Sequence, residues 1–137
     1  MRIVLDTNVL VSGLLSPYGV PAEVVRMVSS GELELCYDAR ILSEYRTVLL
    51  RPKFPFESFQ VQVLLEQIEF EGYAVATKPL KQKLPDPDDE VFLAVALAGS
   101  AKYLVTGNLK HYPKEKRQGA SVVSPKEFLE IYLRELH

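Results

Sequence analysis

The sequence predicts an α/β fold, a three-layer α/β/α sandwich with a central parallel sheet of about five strands. Short apolar runs alternate with longer amphipathic stretches along the 137 residues. The apolar runs are typical of strands buried on both faces of a parallel sheet, and the amphipathic stretches are typical of the helices that cover it. No repeat or change of composition divides the chain, so residues 1–137 are predicted to form a single domain.

The chain opens with the predicted central strand. Residues 3–5 are apolar and rich in β-branched side chains. A helix follows, with Pro21 in its first turn and Gly31 directly after its end. Residues 33–37 form the second predicted strand. Its Cys36 is the only cysteine, which excludes a disulfide framework and favours a small buried side chain over a reactive thiol.

Two helices and a short strand are predicted in the middle of the chain. Asp38 is a favoured N-cap residue, and the helix that it opens runs to about Leu50. The next helix, residues 57–71, carries an apolar stripe and is closed by Gly72. A short strand around residues 74–75 then follows.

The last third of the chain begins with an irregular, proline-containing segment, residues 78–87, which we expect to cross the surface. Loops of this kind often border active sites. The remaining predicted elements are a helix from about Asp88 to Ala98, strands at residues 103–105 and 121–123, and a helix that begins at Pro125 and reaches Leu136.

Hydropathy and net charge indicate where the protein is located and how widely its surface could bind nucleic acid. Asp6 and Asn8 interrupt the apolar amino terminus, which predicts neither a signal peptide nor a membrane span, and hence a cytoplasmic protein. The net charge of −2 argues against a surface that binds nucleic acid everywhere, so any such contact is local. Two basic patches could provide it, although such groups are more often only solvated surface: Arg46 with Arg51 and Lys53, and Lys110 and His111 with Lys114, Lys116 and Arg117.

Asp6 is the first candidate for chemistry, because it stands immediately after the predicted central strand. Ligands of parallel sheets bind beyond the carboxyl ends of the strands. The alternative is that Asp6 serves as the N-cap of a helix over residues 7–15. The sequence leaves capping and catalysis equally weighted for this residue.

Glu44 is the second candidate. It occupies an inward position of the helix that buries Ile41, Tyr45 and Val48. A buried carboxylate needs a cation, a metal ion or dense hydrogen bonding. The structural alternative is a salt bridge with Arg40 or Arg46.

The third candidate is the acidic run of residues 86–90. Asp86 suits an N-cap and Pro87 a first helical position, which explains Asp86 and Asp88 without chemistry. Asp89 and Glu90 precede the apolar part of the helix, and we expect at least one of them to face the sheet.

Asn108 follows the strand at residues 103–105, in a Gly-Asn pair that also suits a simple turn. If Asp6, Glu44, one of the Asp89 and Glu90 pair, and Asn108 converge on one crevice, the ligands are all oxygen atoms. Such a set predicts Mg²⁺ or Mn²⁺ rather than zinc.

These motifs resemble those of the PIN domain family, in order and in spacing. The opening of the chain and three later acidic motifs carry the resemblance, which is closest to prokaryotic toxins of toxin-antitoxin pairs. The motifs are Leu5-Asp6-Thr7-Asn8-Val9-Leu10, Ser43-Glu44-Tyr45, Asp86-Pro87-Asp88-Asp89-Glu90 with the four residues after it, and residues 103–108.

The resemblance implies metal-dependent hydrolysis of phosphodiester bonds, usually in single-stranded RNA. Carboxylates would hold one or two Mg²⁺ or Mn²⁺ ions, and Asn108 would complete the catalytic set. The metal ligands implied are Asp6, Glu44 and either Glu90 or Asp89. The residues that would orient these ligands or bound water are Thr7, Asn8 and Thr106. Contacts with RNA phosphates would come from Lys110 and His111, with Arg46 as a further candidate.

Two positions depart from the family's pattern. Asn108 stands where the family often has aspartate, and its amide carries no charge. Glu90 aligns with the usual aspartate of the third motif, which slightly favours Glu90 over Asp89 as the ligand.

Further expectations about function and assembly follow from these residues. If the site has lost its catalytic activity, the chain is an RNA-binding or protein-binding module rather than an enzyme. A toxin would be held in check by a small antitoxin protein. The aromatic side chains Phe54, Phe56 and Phe59 predict a homodimer, unless they anchor the loop to the domain's own core.

Overall fold

Five parallel strands form the central sheet, in a computed structural model that describes residues 1–136. The strands are β1 (Arg2–Leu5), β2 (Glu34–Tyr37), β3 (Tyr73–Ala74), β4 (Tyr103–Val105) and β5 (Val122–Val123). Their order across the sheet is β3-β2-β1-β4-β5, and every neighbouring pair is parallel. The predicted α/β class, the parallel sheet and the number of strands are therefore confirmed.

Six α-helices within residues 1–136 connect and cover the strands in a three-layer α/β/α arrangement. They are α1 (Thr7–Leu15), α2 (Val20–Ser29), α3 (Ala39–Leu49), α4 (Ser58–Glu71), α5 (Glu90–Ala98) and α6 (Pro125–Leu136). The apolar helix α5 packs against the three central strands, β1, β2 and β4. None of the helices in residues 1–136 combines the length and the apolar character that a membrane crossing requires.

Local sequence signals set the helix boundaries where they were predicted. The Asp38 side chain accepts a hydrogen bond of 2.9 Å from the Ile41 backbone N–H and so caps α3. Gly72 ends α4 where the chain has no room for a side chain, because a Cβ atom there would lie 2.6 Å from the backbone oxygens of Ile68 and Leu35.

The acidic run before α5 is more tightly wound than the single helix from Asp88 that the sequence predicted. The Asp86 side chain accepts a 2.9 Å hydrogen bond from the Asp88 backbone N–H. Pro87 follows in the first position of a 3₁₀ turn over Pro87–Asp89, and only then does α5 begin. A 3₁₀ turn has about 3.0 residues per turn instead of 3.6, so side chains leave it in different directions from those of an α-helix.

A buried tyrosine connects α3 to the carboxyl end of the central strand. The Tyr45 hydroxyl donates a 2.6 Å hydrogen bond to the backbone oxygen of Leu5, and its ring packs against Phe92 of α5. Leu5 directly precedes Asp6, and Tyr45 directly follows Glu44. This contact therefore joins the chain neighbours of two of the predicted site residues.

The cysteine is fully buried, as predicted. Burial raises the pKa of the Cys36 thiol to about 11. The thiolate is scarce at neutral pH at that value, so this side chain packs as a small hydrophobe.

Candidate metal centre

Asp6 lies beyond the carboxyl end of β1, next to the residue that follows β4. Thr106 Oγ1 donates a 2.9 Å hydrogen bond to Asp6 Oδ2, and the Tyr112 hydroxyl donates a 3.0 Å hydrogen bond to the same oxygen. The Asp6 side chain makes no capping hydrogen bond with α1. Of its two predicted roles, the geometry therefore supports a carboxylate held in the crevice.

The environment of Asp6 opposes its charge. Burial raises the pKa of the Asp6 carboxyl, while the hydrogen bonds from Thr106 and Tyr112 act in the opposite direction. The residue is only 5% exposed. A buried carboxylate that stays ionised gains from a nearby cation.

Asp89 enters the same crevice from the 3₁₀ turn before α5. It is 8% exposed, and its Oδ2 atom has no aligned hydrogen bond within residues 1–136, although His111 Nδ1 lies 2.9 Å away. Burial is the main reason that the pKa of Asp89 rises to about 6; the charge of Asp6 adds to it, and His111 opposes it. Two acidic side chains thus share one buried space without a full set of partners.

Glu44 contributes a third carboxylate from α3, where it is half-buried. Partial burial raises its pKa, and the charge of Asp88 raises it further. Neither arginine that the sequence offered as a salt-bridge partner takes that role in the described part of the chain: Arg40 contacts Asp38 and Thr77, and Arg46 donates to Gln62.

Glu90 points elsewhere. Its Oε2 atom accepts a 2.8 Å hydrogen bond from the Leu84 backbone N–H, which holds the end of the irregular segment against α5. The structure therefore brings Asp89, rather than Glu90, next to Asp6. The tight 3₁₀ turn is the physical reason, because it rotates the two side chains away from the directions that a continuous α-helix would give them.

Asn108 contacts His111, which in turn contacts Asp89 in the crevice. Asn108 Nδ2 lies 2.8 Å from His111 Nε2, while His111 Nδ1 faces Asp89. His111 thus lies between the Asn108 amide and the Asp89 carboxylate, and its Nδ1 atom is close to Asp89 Oδ2 without the alignment of a hydrogen bond. Asn108 thus orients an imidazole against a carboxylate, which the sequence did not predict.

The other predicted residues surround this centre at different distances. The Asn8 side-chain oxygen accepts a 2.9 Å hydrogen bond from the Gly107 backbone N–H and joins the two loops that follow β1 and β4. Thr7 Oγ1 is buried and has no partner within residues 1–136. Lys110 and Arg46 are exposed. Tyr112 was missed, because a tyrosine in a polar loop gives no sequence signal of contact with a residue 106 positions away.

Geometry and chemistry together fit a divalent cation. Asp86, Asp89 and His111 each offer a ligand atom, and these atoms lie within 4.8 Å of one another. The buried Asp89 Oδ2 is the decisive observation, because it has no aligned hydrogen bond although His111 Nδ1 lies 2.9 Å away. A buried carboxylate oxygen in that state is costly unless a cation or water reaches it. Oxygen-rich ligand sets favour hard cations such as Mg²⁺ and Mn²⁺.

Comparison with known proteins agrees with this architecture. An uncharacterized protein of Methanocaldococcus jannaschii is 26% identical over 143 residues, which cover 96% of this chain and 92% of that protein. VapBC2 from Rickettsia felis, solved bound to a DNA fragment from its promoter, has a similar fold, with a TM-score of 0.62 and 17% identity over 90% of this chain and 98% of that one. FitAB, solved bound to the IR36 DNA fragment, has a TM-score of 0.53 and 20% identity over 90% of this chain and 94% of that one.

The family profile described as the PIN domain matches residues 2–110. The matched range includes β1 with Asp6, α3 with Glu44, the acidic turn with Asp89, and Asn108 after β4. The chain therefore belongs to the PIN domain family.

Proposed function

We propose that this protein is a divalent-metal-dependent endoribonuclease that hydrolyses phosphodiester bonds in single-stranded RNA. The buried Oδ2 of Asp89, which has no aligned hydrogen bond and lies in a crevice shared with Asp6 and Glu44, carries the proposal. Membership of the PIN domain family supports the same reaction. RNA hydrolysis also agrees with the cytoplasmic location expected from the sequence.

Mg²⁺ or Mn²⁺ is the proposed cofactor, held by Asp6, Asp89 and Glu44, with Asp86 and His111 close enough to contribute. A bound ion of this kind lowers the pKa of a water molecule and neutralises charge on the phosphate. Glu90, the ligand that the sequence slightly favoured, instead fixes the neighbouring loop.

The chain's own side chains then position these ligands. Thr106 and Tyr112 fix the orientation of Asp6 through its Oδ2 atom. Asn108 contacts His111 Nε2 and so fixes the imidazole ring beside Asp89. Asn8 fixes the loop that carries Gly107 and Asn108. No side-chain nucleophile is needed, because water is the attacking group.

We further propose that the enzyme is the toxin of a toxin-antitoxin pair. Its motifs resemble those of such toxins, and its fold is similar to structures of VapBC2 and FitAB, of which the first is bound to DNA from its own promoter. The proposed partner is a small antitoxin protein that places a basic side chain in the acidic crevice.

A homodimer is the proposed assembly. Phe54 and Phe56 are partly buried, with ring centroids 6.0 Å apart, so they anchor their loop. Phe59 on α4 is 77% exposed and is the ring that remains for a contact between subunits. We expect light scattering to give twice the mass of the chain, and a monomer at high concentration would remove the dimer from the proposal.

A binding module without turnover is the second candidate, and the observation that favours it is the neutral Asn108 in a position where aspartate would add charge. In that case the crevice would still bind a cation and RNA. Cleavage would be absent at every metal concentration.

Cleavage of a labelled single-stranded RNA tests the proposal. Purified protein is incubated with Mn²⁺, with Mg²⁺ or with a chelator, beside Asp6→Asn, Glu44→Gln and, as a matched control on the distant α6 surface, Glu130→Gln. We expect metal-dependent cleavage by the wild type and the control, and a loss of about a hundredfold or more in the two crevice variants. Equal cleavage by all four proteins would indicate contamination, and none with any metal would favour the binding module.

Tyr112→Phe is expected to lower cleavage by about tenfold to a hundredfold while the fold is retained. The change removes one hydrogen bond to a charged carboxylate, and such bonds contribute about 1.5–3 kcal/mol. The Mn²⁺ concentration needed for half-maximal activity should also rise, which a purely structural role would not cause. Tyr132→Phe removes a hydroxyl on α6 and is the matched control; the same losses in both variants would exclude a specific role for Tyr112.

A further inference from the structure

We propose that a cationic groove beside the acidic crevice binds the sugar-phosphate backbone of single-stranded RNA. The cationic groove is lined by Arg40, Thr77, Lys78, Lys83, Glu90 and Ala94. It lies between α5 and the irregular segment that precedes it, and none of its lining residues belongs to the two basic patches that stand out in the sequence. This inference rests on the proposed ribonuclease function and assigns the path of its substrate.

The size and the walls of the groove suit a nucleotide. Its volume is about 520 Å³, within the range of about 300–1,000 Å³ that is usual for ligand pockets. Arg40 stands at the amino end of α3, Lys78 and Lys83 come from the segment, and Glu90 and Ala94 come from α5. The segment contains several prolines, which restrict the backbone that carries the lysines.

The charge inside the groove is positive, although the chain as a whole carries −2. Among the described residues that line the groove, Glu90 is the only one with a carboxylate, and one oxygen of Glu90 accepts a hydrogen bond from the Leu84 backbone N–H. Lys78 and Lys83 form no salt bridge within residues 1–136 and are exposed. Local cations that lack an internal partner can replace the counterions of a phosphate chain.

More apolar surface adjoins the groove. A second cavity of about 490 Å³ shares Lys78, Pro79, Leu80 and Ala94 with the first. Its remaining walls include Leu97 and the aliphatic Ala98. Aliphatic surface of this kind can cover the face of an unpaired base, whereas a duplex would keep its bases stacked.

The groove leads to the proposed catalytic crevice. Arg40 and Glu44 are four residues apart on α3 and therefore lie on the same side of that helix, one turn apart. On the opposite wall, Glu90 faces the groove and the adjacent Asp89 faces the crevice. A strand bound along the lysines would thus pass its next phosphates toward Asp89 and Asp6.

Binding of a fluorescent single-stranded RNA of about 12 nucleotides to the full chain tests the groove. The measurement is made in chelator, so that no cleavage occurs, for the wild type and for Lys78→Glu with Lys83→Glu. The matched control, Lys126→Glu with Arg134→Glu, makes the same change in net charge on α6. We expect the groove variant to weaken binding at least tenfold and to reduce the slope of log affinity against log salt by about 2. The control should lose less than twofold.

Two further variants keep the result interpretable. Lys78→Arg with Lys83→Arg should retain wild-type affinity, and Lys78→Ala with Lys83→Ala should lose it without adding negative charge. Thermal melting verifies that each protein is folded. Equal weakening in the groove variant and the α6 control, or wild-type affinity in the alanine variant, would overturn the proposal.

Cleavage assays separate this inference from the function on which it rests. If the wild type cleaves RNA and the alanine variant cleaves it with an unchanged KM, the groove is refuted and the nuclease stands. If the wild type binds RNA through the lysines but cleaves nothing with any metal, the groove stands and the nuclease is refuted.

Discussion

Asp89→Asn is expected to reduce metal-dependent cleavage of RNA by at least about a hundredfold, and Glu90→Gln by less than about fivefold. Loss of a residue that merely supports a metal ligand typically lowers affinity or activity by about 10–100-fold, so loss of a ligand should exceed that range. The two residues are adjacent in the sequence, and the difference between them is therefore a direct test of the crevice geometry.

The expectation follows from where each carboxylate lies. Asp89 is buried beside Asp6, and its Oδ2 has no aligned hydrogen bond in the described part of the chain. Glu90 accepts a hydrogen bond from the Leu84 backbone N–H, and a glutamine oxygen can accept the same bond. Since Glu90 is also the only anion of the cationic groove, its neutralisation should lower KM for RNA rather than raise it.

Initial rates at several Mn²⁺ concentrations measure both effects, with Glu130→Gln as a distant control for the removal of one carboxylate. Circular dichroism verifies that the variants keep their helices. A large loss in Glu90→Gln together with full activity in Asp89→Asn would reverse the assignment and restore the preference that the sequence alone gave.

The overall architecture was predictable because its signals are local. Apolar runs of three to five residues mark strands buried on both faces, and Asp38 and Pro125 mark helix starts. Each of these signals acts within one turn or one strand. The order of the strands, with β1 at the centre, is the arrangement that brings Asp6 and Thr106 together at one edge.

The sequence does not predict which of Asp89 and Glu90 faces the crevice, because their directions depend on how tightly one turn is wound. Asp86 and Pro87 were recognised as a cap and a first helical residue, but their consequence was not: they produce a 3₁₀ turn that changes the direction of the following side chains. The alignment of the third motif, which slightly favoured Glu90, takes no account of this turn, and the geometry leads us to propose Asp89 instead.

Contacts between distant residues were not predictable from one sequence. The Tyr112 hydroxyl reaches Asp6 across 106 positions, and the cationic groove combines Arg40 with lysines about 40 positions later. The predicted patches were groups of basic residues close together in the sequence. A groove assembled from separate elements leaves no such group.

The metal-free protein should lose stability as the pH rises from about 4 to above 6, and Asp89→Asn should remove much of that loss. The ordinary pKa of an aspartate is 3.8, and in this fold the pKa of Asp89 is about 6. Because the folded state holds this proton more tightly than the unfolded state, the stability that it contributes is present below pH 4. It is lost as the pH rises through 6.

The size of the effect follows from the shift. About two pKa units correspond to roughly 2–3 kcal/mol at pH 7.5. For a chain of this length, 1 kcal/mol changes the melting temperature by about 2–8 °C. Burial raises the pKa values of Asp6 and Glu44 as well, so they act in the same direction.

Thermal melts of the wild type and Asp89→Asn in chelator, at pH 5 and at pH 7.5, measure this effect as the difference between the two proteins. We expect Asp89→Asn to melt at least about 5 °C higher than the wild type at pH 7.5, and the difference to shrink at pH 5. A lower melting temperature for Asp89→Asn at pH 7.5 would show that the ionised carboxylate stabilises the metal-free fold, contrary to its burial.

Adding Mn²⁺ at pH 7.5 should reverse the order of the two proteins. A ligand at a concentration of about 100 times its dissociation constant stabilises the folded state by about 2.7 kcal/mol. We expect Mn²⁺ to stabilise the wild type by about this amount and to stabilise Asp89→Asn much less. A crevice of ionised carboxylates is thus unfavourable for the empty fold and favourable only with a cation present. If Mn²⁺ raised both melting temperatures equally, the ion would bind elsewhere, and Asp89 would not be a metal ligand.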